Sequence, residues 1–110
     1  MATKQQKEML LQHWNSKKII IHKRVTPDAE RELTKLLKHY TLEEIFELVD
    51  FYATILEPGV PEHEQKYFWT HKWNLFEFLR RGVPKFDGQE PDSYRKQQMA
   101  QQTEALVFKR

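Results

Sequence analysis

Residues 26–56, TPDAERELTKLLKHYTLEEIFELVDFYATIL, carry two helix starts, two apolar stripes and one stop. Thr26 is placed to cap, and Pro27 suits the first helical position because its missing N–H has no intrahelical partner there. Asp28 and Glu30 follow in the first turn, where the helix dipole favours acids. Ala29, Leu33, Leu36, Leu37 and Tyr40 then fall at i, i+4, i+7, i+8 and i+11, one face of a helix. A second start follows at once. Thr41 and Glu44 stand three apart, so each side chain can take the other's backbone N–H, with Tyr40 and Ile45 placed as a hydrophobic staple. Ile45, Leu48, Val49, Tyr52, Ile55 and Leu56 continue the stripe until Pro58-Gly59 stops it. The spacing predicts two helices meeting at a tight corner around Thr41.

On the C-terminal side, EPGVPEHEQKYF (residues 57–68) reads as a loop, and THKWNLFEFLRRG (residues 70–82) as a third helix. Thr70 is its expected cap, Trp73, Phe76 and Leu79 its apolar face, and Gly82 its left-handed exit with Pro84 beyond. On the N-terminal side, KQQKEMLLQHWN (residues 4–15) reads as a helix presenting Met9, Leu10, His13 and Trp14. KKIIIHKRVT (residues 17–26) is β-branched and short, either an isolated strand or an extended arm packed by its isoleucines. The expected fold is mainly α: a small single-domain helical bundle of about four helices, with one short extended segment near residues 18–24. Residues 1–86 form the helical domain. Residues 87–110 are polar and Gln-rich, a loose helix or tail.

The chain has 110 residues, of which 31% are charged and 13% aromatic, a composition that supports one small packed core. No apolar run is long enough to cross a membrane, and the N-terminus lacks a signal-type apolar stretch. The absence of cysteine removes disulfides and thiolate chemistry together. These features point to a soluble, single-domain protein of the cytoplasm. The three glycines, Gly59, Gly82 and Gly88, sit in turns or caps and form no phosphate loop. His63, Glu64 and His71 are close in sequence, but a loop histidine and a helix-start histidine are more often exposed than ligating. No catalytic residue, metal site or cofactor is expected. The chain does not read as an enzyme.

The net charge of +2 hides three blocks: +5 over residues 1–24, −7 over 25–64 and +4 over 65–86. Such blocks either make a bipolar surface or neutralise each other within the fold. Lys17, Lys18, His22, Lys23 and Arg24 bracket three isoleucines, and Lys72, Arg80, Arg81 and Lys85 are interleaved with aromatics. Cations at that density suit phosphate contacts, while exposed aromatic faces stack on unpaired bases. Trp69, Trp73 and Phe76 at helical spacing read as core instead. Glu43, Glu47 and Asp50 share one face of a central helix and offer the competing role, docking a basic protein partner.

Several stretches taken in order resemble one family. They are the pair Trp14-Asn15, the basic stretch with Ile21, His22 and Arg24, the helix start at Thr26, and the corner Tyr40-Thr41 with Glu43, Glu44 and Ile45. The last is the ending YFWTHKWNLFEFLRRGVPKF, with Tyr67, Trp69, Lys72, Trp73, Leu75, Phe78, Leu79, Arg81, Gly82, Lys85 and Phe86. Over roughly residues 13–86 the chain resembles the C-terminal domain of replisome organisers, the replication-initiation proteins of phages and prophages of Gram-positive bacteria. That family's N-terminal winged-helix domain has no counterpart in these residues, so the resemblance does not extend to origin recognition. It implies an accessory role: binding DNA, in single-stranded form, and helping to recruit the replicative helicase or its loader. The alternative is an adaptor that docks helicase or loader through the acidic face without DNA. An isologous dimer through the aromatic segment is also compatible with the pattern.

Overall fold

The computed structural model describes residues 2–96. Its first helix, α1 (Lys4–Ser16), starts on a capping box that sequence reading missed: Thr3 Oγ1 accepts from the Gln6 N–H, and the Gln6 side chain accepts from the Thr3 N–H. The second, α2 (Pro27–Leu36), starts where the Thr26 cap and Pro27 place it, and Thr26 Oγ1 accepts from the Ala29 N–H. The third, α3 (Leu42–Leu56), carries the reciprocal Thr41–Glu44 box. It ends at Leu56, two residues before Pro58, with Glu57 in the left-handed region at φ 50°. The Glu57 carboxylate then accepts from the Lys66 and Tyr67 N–H groups, at 2.7 and 3.2 Å, and so closes the 57–68 loop onto the helix end.

The last helix corrects two expectations. Its cap is Asn74, not Thr70, because Asn74 and Glu77 form their own capping box and leave residues 70–73 as extended chain. Nor does it stop at Gly82. An α-turn, Leu75–Glu77, runs into a π-helical stretch, Phe78–Gly82, and on into a second α-segment, Val83–Phe86. We call residues 75–86 α4. In the π stretch the Val83 N–H reaches back to the Phe78 carbonyl. Pro84, next along, has no N–H to place, so it falls at the start of a new α-segment where proline is tolerated. Gly82 has ordinary right-handed backbone; the residue that turns left-handed after α4 is Gly88, at φ 79°.

The fold is mainly helical, with no strand among the described residues. α1 packs on α3, α2 on α4, and the end of α4 returns to α3. The core holds Leu10 and Trp14 from α1, Leu33 from α2, Ile45, Val49, Tyr52 and Ile55 from α3, and Phe78, Leu79, Val83 and Phe86 from α4, all essentially inaccessible. Tyr52 Oη accepts from the Trp73 N–H at 2.6 Å and donates to the His71 carbonyl at 2.9 Å, which ties the extended approach of α4 to α3. Trp73 is buried as expected, whereas Trp69 and Phe76 are only half-buried. Beyond α4, Pro91–Tyr94 makes a 3-10 turn whose Tyr94 ring meets Phe51 and Phe86. The chain there runs antiparallel to residues 66–68 through the Phe68 N–H to Tyr94 carbonyl and Lys96 N–H to Lys66 carbonyl bonds. The Tyr94 ring therefore holds this turn against α3 and α4, and the remainder of the Gln-rich segment, 97–110, lies outside the described residues. Among the described residues no helix is long and apolar enough to cross a membrane.

Candidate nucleic-acid interface

The segment expected to be extended, residues 18–24, is a bent arm and not a strand. Its shape comes from α1. The Trp14 Nε1–H donates to the Ile20 carbonyl at 2.7 Å. The Asn15 amide takes both backbone groups of His22, accepting from its N–H at 3.0 Å and donating to its carbonyl at 2.8 Å. That is the bonding a neighbouring strand would supply, delivered by one side chain. Of the three isoleucines, Ile19 is buried, Ile20 is half-buried, and Ile21 points into water at 69% exposure.

Within the arm the predicted cations divide. His22 Nε2 accepts from the Leu75 N–H at 3.2 Å, satisfying a donor at the start of α4. That bond joins the arm to the helix. Lys17 is also committed, because its ammonium lies 2.8 Å from Asp50 Oδ1 on α3. Lys18, Lys23 and Arg24 are exposed, and each is without an acidic partner among the described residues. Lys18 sits in the left-handed region at φ 58°, where the chain turns out of α1.

The second basic block stands on and before α4. Arg80, Arg81 and Lys85 are exposed along its outer face, while Leu75, Phe78, Leu79, Gly82, Val83 and Phe86 face inward. Because α4 runs on past Gly82, the two arginines lie within the helix and do not serve its terminal carbonyls. Lys85 stands over the Trp69 ring at 5.6 Å, a cation–π contact. Lys72 is exposed two residues before the Asn74 cap. The His22–Leu75 bond joins the arm to the start of α4, and a shallow depression of about 60 Å³ there is lined by His22, Arg24, Asn74 and Phe76. A larger groove of about 260 Å³ lies on the other side of Arg24, where Lys4, Lys7, Lys23 and Arg24 gather around Leu11 and Val25 with Glu8 beside them. Lys4 and Lys7 were not singled out from the sequence. Their signal was i, i+3 spacing on the face that turns toward the arm, which becomes visible only once the arm's position is known. Lys7 is held by Glu30 at 3.1 Å. Trp73 is too buried to stack on a base; among the described Phe, Tyr and Trp residues the exposed ring is Phe68.

Of the acidic face, Glu43 and Glu47 are exposed and without ion-pair or hydrogen-bond partners among the described residues, but Asp50 is neutralised. Lys17 Nζ and His13 Nε2 both lie 2.8 Å from its Oδ1, and the His13 ring stacks on Phe46 at 4.4 Å. Among the described residues the blocks of opposite charge thus meet at two points, Lys17–Asp50 and Lys7–Glu30. Partial burial works to raise the Asp50 pKa, but the hydrogen bonds from Lys17 and His13 outweigh it and hold the carboxyl below its ordinary 3.8. A carboxyl lowered on folding stabilises the fold above its unfolded pKa and loses that contribution as pH falls through the folded value. Asp50→Asn should therefore cost about 0.5–1 kcal/mol at neutral pH, the range for a solvent-screened pair. The gap between variant and wild type should close as pH drops below 3.8. Urea midpoints at pH 7 and at progressively lower pH check this; a gap that stayed constant with pH would assign the loss to something other than the charge.

His63 Nε2 lies 3.8 Å from Glu64, both well exposed, and no three acidic or histidine side chains gather as a metal site among the described residues. No family model matches this chain, and no curated protein or solved structure matches it either.

Proposed function

We propose that this protein is a non-enzymatic DNA-binding module of phage-type replication initiation, which holds single-stranded DNA and helps bring the replicative helicase or its loader to it. The observation that carries the DNA reading is the His22–Leu75 bond, which fixes the arm bearing Lys18, Lys23 and Arg24 against the start of the helix bearing Arg80, Arg81 and Lys85. Separated cations on a surface bind polyanions weakly; cations held along one rigid path neutralise successive phosphates and release their counterions together. The ordered resemblance in residues 13–86 supports the replication role. Recruitment falls to Glu43 and Glu47, which remain open on α3 while Asp50 is occupied.

Fluorescence anisotropy of labelled single-stranded and duplex DNA at several salt concentrations tests the reading. Binding should be salt-sensitive and favour the single strand. Replacing Lys18, Lys23 and Arg24 together by alanine should weaken it and flatten the salt slope by roughly 0.7 for each phosphate no longer neutralised. Lys17 is left in place because its charge is already engaged by Asp50. A folded triple variant that bound like wild type would remove the arm from the interface, and a wild-type chain that bound no DNA at low salt would overturn the reading. Glu43→Lys with Glu47→Lys should abolish capture of the helicase or loader while leaving DNA affinity intact or higher.

A further inference from the structure

We propose that Ile21 is a wedge that enters between two neighbouring stacked bases of the bound strand and unstacks them. The inference rests on the DNA-binding reading above and names what one residue does within it. Ile21 is the most exposed large apolar residue described, at 69%, while its neighbours Ile19 and Ile20 pack inward. A loose loop would let such a side chain fold down onto the protein. This one is held out, because the backbone on both sides is pinned: the Ile20 carbonyl by Trp14, both His22 backbone groups by Asn15, and the His22 ring by Leu75.

The chemistry of the surroundings selects the occupant. Lys18 precedes Ile21 by three residues, and Lys23 and Arg24 follow it within three, all exposed; no acid lies between Lys17 and Pro27. An apolar tip flanked by cations on both sides matches a polyanion that also carries apolar surfaces, which is what a stacked single strand presents: the flat faces of its bases beside anionic phosphates. Isoleucine suits insertion because its β-branch leaves few rotamers, so the tip keeps its shape under load. Apolar side chains set among basic residues separate base steps in this way, at a cost in unstacking that new contacts offset. The cations flanking Ile21 are placed to hold the phosphates on either side of the opened step.

The test uses the full chain and a single-stranded oligonucleotide carrying 2-aminopurine among adenines, whose fluorescence rises when the base is unstacked. Wild type should raise the fluorescence on saturation. Ile21→Ala should melt at the wild-type temperature, since the side chain is exposed, and keep the wild-type salt slope, since no cation has changed. Its affinity should fall roughly ten- to thirtyfold, from the apolar area no longer covered, and its fluorescence rise should disappear. Ile21→Val, which keeps the β-branch, should restore most of both. A folded Ile21→Ala that bound as wild type does, or that still raised the fluorescence, would overturn the wedge while leaving the DNA reading standing. A wild-type chain that bound no oligonucleotide would overturn both.

Discussion

Trp14→Ala should bring the protein close to unfolding at room temperature. The side chain is fully buried, with its ring 5.3 Å from Phe78 and 6.1 Å from Tyr52, and so stands where α1, α3 and α4 meet. Removing an aromatic of that size from a packed interior costs about 3–5 kcal/mol through forfeited transfer energy and the cavity left behind. A small domain has only about 5–15 kcal/mol in total. The substitution also strips the Ile20 carbonyl of the indole N–H at 2.7 Å, so the arm is released as the core is weakened. The urea midpoint should drop by a large fraction, with Tm lowered by at least about 10 °C. Trp14→Phe separates the two contributions, because it keeps most of the ring but not the N–H. It should lose about 1–3 kcal/mol and show the arm's amides exchanging faster with solvent while those of α3 stay protected. A Trp14→Ala protein as stable as wild type would mean that the three helices do not share this centre.

Gly82→Ala carries the second large effect, and its sign is the informative part. In an ordinary helix alanine is better than glycine by roughly 0.5–1 kcal/mol, since glycine surrenders more backbone freedom on folding. At Gly82 a Cβ would stand 2.6 and 2.9 Å from two atoms of the Phe78 ring and 3.0 Å from Trp73. The ring has nowhere to go: it is fully buried, with Trp14 and Tyr52 each 5.3 Å from it. The π stretch brings the Gly82 backbone onto that ring, so adding one methyl group overpacks the centre of the fold. A loss of about 1–3 kcal/mol is expected in place of the usual gain. Thermal and urea unfolding of Gly82→Ala measure it directly. A higher Tm would show that the π stretch can relax into a regular α-helix at that point.

The features legible in the sequence were those that neighbouring residues determine. Thr26-Pro27, the Thr41–Glu44 pair and the stripes of α2 and α3 act within a turn or two, so reading them along the chain was enough. The start of α4 was expected at Thr70. Asn74 prevails because Glu77 completes its box, and because Tyr52, far away in sequence, already takes the backbone groups of residues 71 and 73. Gly82 and Pro84 both read as helix breakers, yet a π turn accommodates the pair, and no periodicity rule announces one. The basic arm was legible as a row of cations but not as a set of roles. Lys17 and His22 read along the chain as members of one basic run, and only long-range partners, Asp50 and Leu75, separate them from Lys18, Lys23 and Arg24. Lys4 joined the basic surface for the same reason, since it is folding of the arm across α1 that makes the groove.

The clamp that Asn15 places on His22 has a kinetic corollary. If the proposed DNA reading holds, an arm already shaped before a strand arrives loses little conformational entropy on association, so little of the contact energy is consumed in ordering it. It also gives up the extended capture radius that a disordered basic tail would have. Encounter then depends on the field of the cations and on orientation, and complex lifetime on how well the rigid surface fits. Loosening Asn15 would tip that balance, trading residence time for reach.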